Sequence, residues 1–102
     1  MPKYAFVYHG GKMAATPQER EESMAAWGRW FAENGPSFVD GGGPFGKSTT
    51  VSASGVVHDG GPNPASGYSF VEAPDLDAAI AIAAKSPILP EGSVEICQIM
   101  PM

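Results

Sequence analysis

The chain reads as an α+β domain of ferredoxin-like kind, a βαββαβ unit with an inserted hairpin. Three observations predict it. Two stretches with helical apolar spacing alternate with short runs rich in aromatic and β-branched residues. Each of the two helices opens on a side-chain cap. The 13 glycines and 10 prolines gather between these stretches, which is punctuation and not low complexity. At 102 residues, one domain with a modest core is expected.

Residues 3–9, Lys-Tyr-Ala-Phe-Val-Tyr-His, form the first strand, which Gly10 and Gly11 end. Residues 12–15 are a linker. Thr16-Pro17-Gln18-Glu19 is a capping box, with Thr16 as N-cap, Pro17 in the first helical position and Glu19 reaching back to the cap. Met24, Trp27, Trp30 and Phe31 follow at helical spacing, and Asn34-Gly35-Pro36 stops the helix. Residues 37–40 are a short strand before a glycine- and proline-bearing loop over 41–46. A small hairpin follows, with arms 48–52 and 56–58 and its turn at 53–55. After a loop over 59–66, residues 67–72 form another strand. Asp75 caps a second helix over 76–85, with Leu76, Ala79, Ile80 and Ala83 on one face. Pro87 and Pro90 punctuate its end, and 93–99 is the last strand.

Both helices are expected on one face of the sheet. Strand alternation puts Tyr4, Phe6 and Tyr8 on one side of the first strand and Ala5, Val7 and His9 on the other. Tyr68 and Phe70 oppose Val71, and Val94 and Ile96 oppose Cys97 and Ile99. Apolar groups therefore line both faces, and a large uncovered apolar face marks an interface. A homodimer through that face is the expectation.

Composition narrows the partners. The formal net charge is −5, and the six Lys and Arg residues are scattered. No basic stripe exists to neutralise phosphates, so nucleic acid is not expected as a partner. An anionic membrane surface would repel the chain, and no apolar run approaches the roughly 20 residues of a membrane span. The opening Met1-Pro2-Lys3-Tyr4 lacks a signal peptide's apolar segment. The single cysteine, Cys97, has no intrachain partner, which fits a reducing cytoplasm. Cys97 is expected to be buried and inert.

Several pieces together resemble the YCII-related family, also described by its DGPF motif. They are the strand Tyr4–His9 with Gly10-Gly11, the helix segment Met24–Phe31, Val39-Asp40-Gly41-Gly42, the hairpin, the segment Gly67–Ala79 and the closing Gly92-Ser93-Val94-Glu95. The resemblance spans nearly the whole chain. It implies a dimeric α/β barrel of two ferredoxin-like units packed sheet to sheet. It also implies a cleft in which some members carry a His–Asp pair and act on small molecules. Asp40 falls near the family's Asp. The family's His belongs in the first helix, at about the position of Met24, and that helix has no His here. The motif itself reads Asp59-Gly60-Gly61-Pro62.

His9 and Asp40, each closing a strand before glycines, are the candidate catalytic residues. An imidazole suits proton transfer. Asp40 would orient it, act as a base or bind a polar group of the ligand; the structural alternative is an Asp that caps its own glycine turn. Tyr8, Trp27, Gly41 and His58 are the candidate ligand contacts. No metal-ligand spacing is present and no cofactor motif is recognised. Gly41 to Ser48 matches the phosphate-loop pattern in letters, but Thr49-Thr50-Val51-Ser52 follows where that loop must open a helix. Two functional classes remain: an acid–base enzyme acting on a small molecule, and a non-catalytic ligand-binding or regulatory accessory protein.

Overall fold

The computed structural model describes residues 1–11 and 13–101. Its elements run β1 (Lys3–His9), α1 (Pro17–Glu33), β2 (Phe38–Pro44), β3 (Thr50–Ser52), β4 (Gly55–Val57), β5 (Ala65–Glu72), α2 (Leu76–Ala83) and β6 (Ser93–Gln98). This is an α+β chain with a four-stranded antiparallel sheet in the order β2-β5-β1-β6 and a separate hairpin, β3-β4. No helix is long and apolar enough to cross a membrane among the described residues. The linker expected over 12–15 is seen at 13–15, residue 12 lying outside the described residues.

The caps form largely as the sequence requires. Thr16 Oγ1 accepts from the Glu19 amide at 3.1 Å, and Asp75 Oδ1 accepts from the Ala78 amide at 2.8 Å. Glu19 reaches one residue further back than the usual box. Its Oε2 accepts from the Ala15 amide at 2.8 Å, which ties the linker to the first turn.

β2 is longer than the sequence indicates. Its pairing with β5 continues through Gly41, Gly42 and Gly43, with register shifts between Phe38 and Asp40 and between Asp40 and Gly43. Each shift inserts one extra residue, which is a bulge. Gly42 sits at φ +73°, a conformation that glycine adopts without steric cost. The glycines therefore carry the strand onward instead of closing it.

The core lies between the helices and one sheet face. Tyr4, Phe6 and Tyr8 of β1 and Val71 of β5 are buried with Trp30, Ala79 and Ala83, and Trp27, Phe31, Phe38, Val94 and Ile96 pack around them. The α2 face differs from the expected one. Ala79 and Ala83 are buried as read, but Leu76 and Ile80 are exposed and Ala78 and Ile82 pack instead. The Ile82 carbonyl accepts from Trp30 Nε1 at 3.0 Å, joining α2 to α1.

The opposite sheet face carries half-buried Ala5, Val7, His9, Tyr68 and Phe70. Cys97 is exposed there, which corrects its expected burial. β6 is an edge strand, and its Cys97 side is the one that neither helix covers. The chain spans 44 × 42 × 19 Å, a plate two layers thick from which the hairpin projects.

Candidate functional site

Side-chain size along β5 decides where the two layers part. Its helix-facing positions run Gly67, Ser69 and Val71. The small residues lie beside the end of β1 and the glycines of β2, so the sheet surface is low there. Above it, α1 presents Trp27, Gly28 and Phe31. The result is a groove of about 910 Å³, walled also by Tyr8, Gly10, Gly11, Met24 and the 87–91 segment, with Gly41–Pro44 along one side.

Aromatic packing holds the wall. Tyr8 meets Trp27 edge to face with ring centroids 5.3 Å apart, and Trp27 meets Trp30 at 5.6 Å. Trp30 and Phe31 in turn pack on Phe38 of β2. These contacts follow from the sequence spacing, since positions 27, 30 and 31 share one face of α1. Met24, by contrast, is 68% exposed. It belongs to the groove rim and not to the core.

A short relay holds the floor. Tyr8 donates its hydroxyl hydrogen to Ser69 Oγ at 2.7 Å, and Ser69 Oγ donates to the Gly41 carbonyl at 2.7 Å. Burial pushes the Tyr8 phenol up to about 12, against a smaller lowering by the Ser69 hydrogen bond. Tyr8 is thus a neutral donor near pH 7 and offers no base. Ser66 Oγ, also at the groove, is buried without a hydrogen-bond partner.

The remaining ionisable groups of the groove are the Tyr68 phenol and the carboxylates of Glu19, Glu22 and Glu91. Its described lining contains no His, Cys, Asp, Lys or Arg. No cluster of three His, Cys, Asp or Glu suited to a metal ion occurs among the described residues.

The two candidate catalytic residues do not meet. Asp40 Oδ1 accepts from the Gly42 amide at 2.8 Å, closing the bulge, and Oδ2 lies 3.4 Å from the Tyr68 hydroxyl that donates to it. This is the turn-capping role. Asp40 pairs with Phe70, and Phe70 pairs with Ala5. His9 is four residues beyond Ala5, so the two are separated by roughly 13 Å along the strands and by two strand spacings.

His9 has partners of its own. Its Nε2 donates to Glu95 Oε1 at 2.9 Å, and its Nδ1 faces the carbonyls of Asn63 and Pro64 at 3.0 and 3.3 Å. The Glu95 bond holds the imidazole above its ordinary value of 6.5, with the two carbonyls adding to the effect and desolvation opposing it.

Of the candidate ligand contacts, the structure brings Tyr8, Trp27 and Gly41 together in the groove. His58 lies elsewhere. It borders a second hollow of about 480 Å³ with Lys47, Ser48 and Asp59, and its Nδ1 is 3.4 Å from Thr49 Oγ1. The second half of the phosphate-loop letters, Phe45 to Ser48, falls here as well, while Gly41–Pro44 border the first groove. The first four of the letters are part of β2, and β3 and not a helix follows them, so the loop that binds phosphates is not built.

Sequence reasoning missed Gly67, Ile88 and Glu91 as groove residues. The signal for Gly67 was available: a residue without a side chain on the helix-facing side of a strand leaves space under an aromatic helix. Ile88 and Glu91 come from a segment of irregular backbone whose position no periodicity indicates. The chain matches no protein-family model and no curated protein.

Proposed function

We propose that the protein binds a small, largely apolar molecule in the groove between α1 and the glycine-rich edge of the sheet, without acid–base chemistry of its own. The observation that carries this reading is the lining. Aromatic rings form the wall, glycines form the floor, and the ionisable groups are confined to the Tyr8 and Tyr68 phenols and three carboxylates. Concave apolar sites with few polar groups are the usual form of small-molecule sites. Catalysis by a His9–Asp40 pair is the alternative, and the partners each side chain keeps weigh against it.

The YCII-related reading is supported by the same groove. Met24, where the family's His is expected, stands at its rim, and Gly41, the neighbour of Asp40, is on its floor. A Met there retains the cleft and removes the proton carrier. The ferredoxin-like arrangement is supported by the strand order β2-β5-β1-β6 with both helices on one face. The lone cysteine supports a cytoplasmic setting.

A thermal-shift screen of metabolites tests the binding reading, because a ligand of the native state raises apparent stability. A hit should quench tryptophan emission, and Trp27→Ala should weaken it by about tenfold or more, as loss of a central aromatic contact does. Binding unchanged in Trp27→Ala would place the ligand elsewhere and overturn the assignment.

The homodimer through the uncovered sheet face is part of this proposal. Its support is the row Ala5, Val7, Tyr68 and Phe70, together with a hairpin whose Val51 and Val56 are 75% and 58% exposed. The radius of gyration of 14.8 Å also exceeds the ~13 Å of a compact chain this long. Light scattering should give twice the 10.6 kDa chain mass, and Phe70→Lys should halve it. A wild-type monomer at micromolar concentration would refute the dimer.

A further inference from the structure

We propose that His9 is a protonation-dependent latch that holds the loop 59–64 against the end of β1 and thereby steadies one end of the groove. The argument begins with the acceptors. Nε2 faces a carboxylate oxygen of Glu95, and Nδ1 faces only the backbone carbonyls of Asn63 and Pro64. Carboxylates and carbonyls accept and do not donate near neutral pH. Both ring nitrogens must therefore carry hydrogen for both contacts to exist. The neutral imidazole has one N–H and sustains only one of them, so deprotonation releases either Glu95 or the loop.

The surroundings leave Glu95 as the ring's one charged partner. From β5, Tyr68 lies on the same face, and from β6 Cys97 stands beyond Glu95, its Sγ 3.9 Å from Glu95 Oε2. His58, Asp59 and Lys47 come from the segments around the second hollow. Asp59 Oδ1 is already occupied by the Gly61 amide at 2.9 Å. Among the described residues the only ion pair is His9 with Glu95, whose side chains are 13% and 60% exposed.

Two residues link the latch to the groove. Gly10, next to His9, and Ser66, two residues past Pro64, each border both the groove and the second hollow. The Ser66 carbonyl also accepts from the Phe45 amide at 2.9 Å, just past the end of β2. Loosening 59–64 thus frees the segment that positions the groove's Ser66 end. The latch itself stands on the His9 contacts; only this last consequence rests on the groove being the binding site.

The direction with pH follows from linkage. The native imidazole titrates above 6.5, chiefly because Glu95 accepts from it. The stabilisation is fully present below the unfolded value and is lost as pH rises through the native one.

Imidazole NMR titration of the full chain tests the latch, together with amide hydrogen exchange of residues 59–66, corrected for intrinsic rates, at pH of about 5.5 and about 8.5. His9 should titrate above 6.5, and Glu95→Gln should bring it down. Loop protection should fall several-fold at the higher pH in the wild type and be low at both values in His9→Phe. A His9 midpoint at or below 6.5, or loop protection independent of pH, would overturn the latch. Nile red, a neutral apolar dye, reports the groove. Its binding should weaken over the same interval in wild type and not in His9→Phe, and pH-independent binding in wild type would overturn the coupling. Absence of dye binding at both pH values would count against the groove reading and against the coupling, while the exchange data decide the latch separately.

Discussion

Gly42→Ala should destabilise the protein by about 3 kcal/mol or more, a large share of the roughly 5–15 kcal/mol available to a domain of this size. Two costs combine. The residue holds φ +73°, which a side chain tolerates poorly. A Cβ there would also run into the Tyr68 carbonyl, far inside van der Waals contact. Backbone cannot rotate out of the way as a flexible side chain could, so the β2–β5 pairing would have to open. Urea unfolding followed by far-UV circular dichroism measures the loss. Gly43→Ala is the control, since a Cβ there meets nothing within 4 Å. Equal midpoints for Gly42→Ala and wild type would show that the bulge does not have this geometry.

The second large effect belongs to Trp30→Ala, with an expected loss of about 3–5 kcal/mol, the range for truncating a buried Trp or Phe. Trp30 is 3% exposed. It packs edge to face on Trp27 and Phe38, and its indole N–H joins α1 to the Ile82 carbonyl of α2. Trp30→Phe separates the two contributions. It retains most of the ring and removes the hydrogen bond, so it should cost roughly 1–3 kcal/mol, the desolvation penalty of the unpaired carbonyl together with some lost area. If Trp30→Phe were as damaging as Trp30→Ala, the helix-to-helix bond and not the packing would dominate. Wild-type stability in Trp30→Ala would contradict the core assignment altogether.

The contrast between Trp30 and Met24 shows where periodicity ends as a guide. Both sit at helical spacing and both read as inward. Trp30 is buried in the core and Met24 is exposed at the groove. The periodicity identifies the side of the helix that faces the sheet, but whether sheet residues rise to meet it depends on the partner strand. On β5 that strand offers Gly67 at the groove, while Ser69 and Val71 are fully buried. The groove is that difference in side-chain height.

Asp40 and its glycines make the same point from the other direction. A carboxylate before three glycines reads as a strand exit with a candidate catalytic group. The chain continues as strand, because two bulges absorb the extra residues and the Asp40 side chain closes the second of them on the Gly42 amide. His9 is legible as a strand-closing residue, and β1 spans Lys3–His9 as expected. Its partners are not legible. Glu95 and the Asn63 and Pro64 carbonyls come from chain positions 54 to 86 residues away.

By itself, the sequence determined what local chemistry controls: the caps at Thr16 and Asp75, the alternation along β1, the extent of α1 and the α+β order of elements. Those features depend on hydrogen bonds and steric preferences within a few residues. Tertiary structure alone decided that Tyr8, Trp27 and Gly41 share a groove, that His58 does not join them, and that His9 takes Glu95 in place of Asp40. These outcomes depend on strand register and on which small residues lie opposite which large ones. A one-residue bulge is enough to change them.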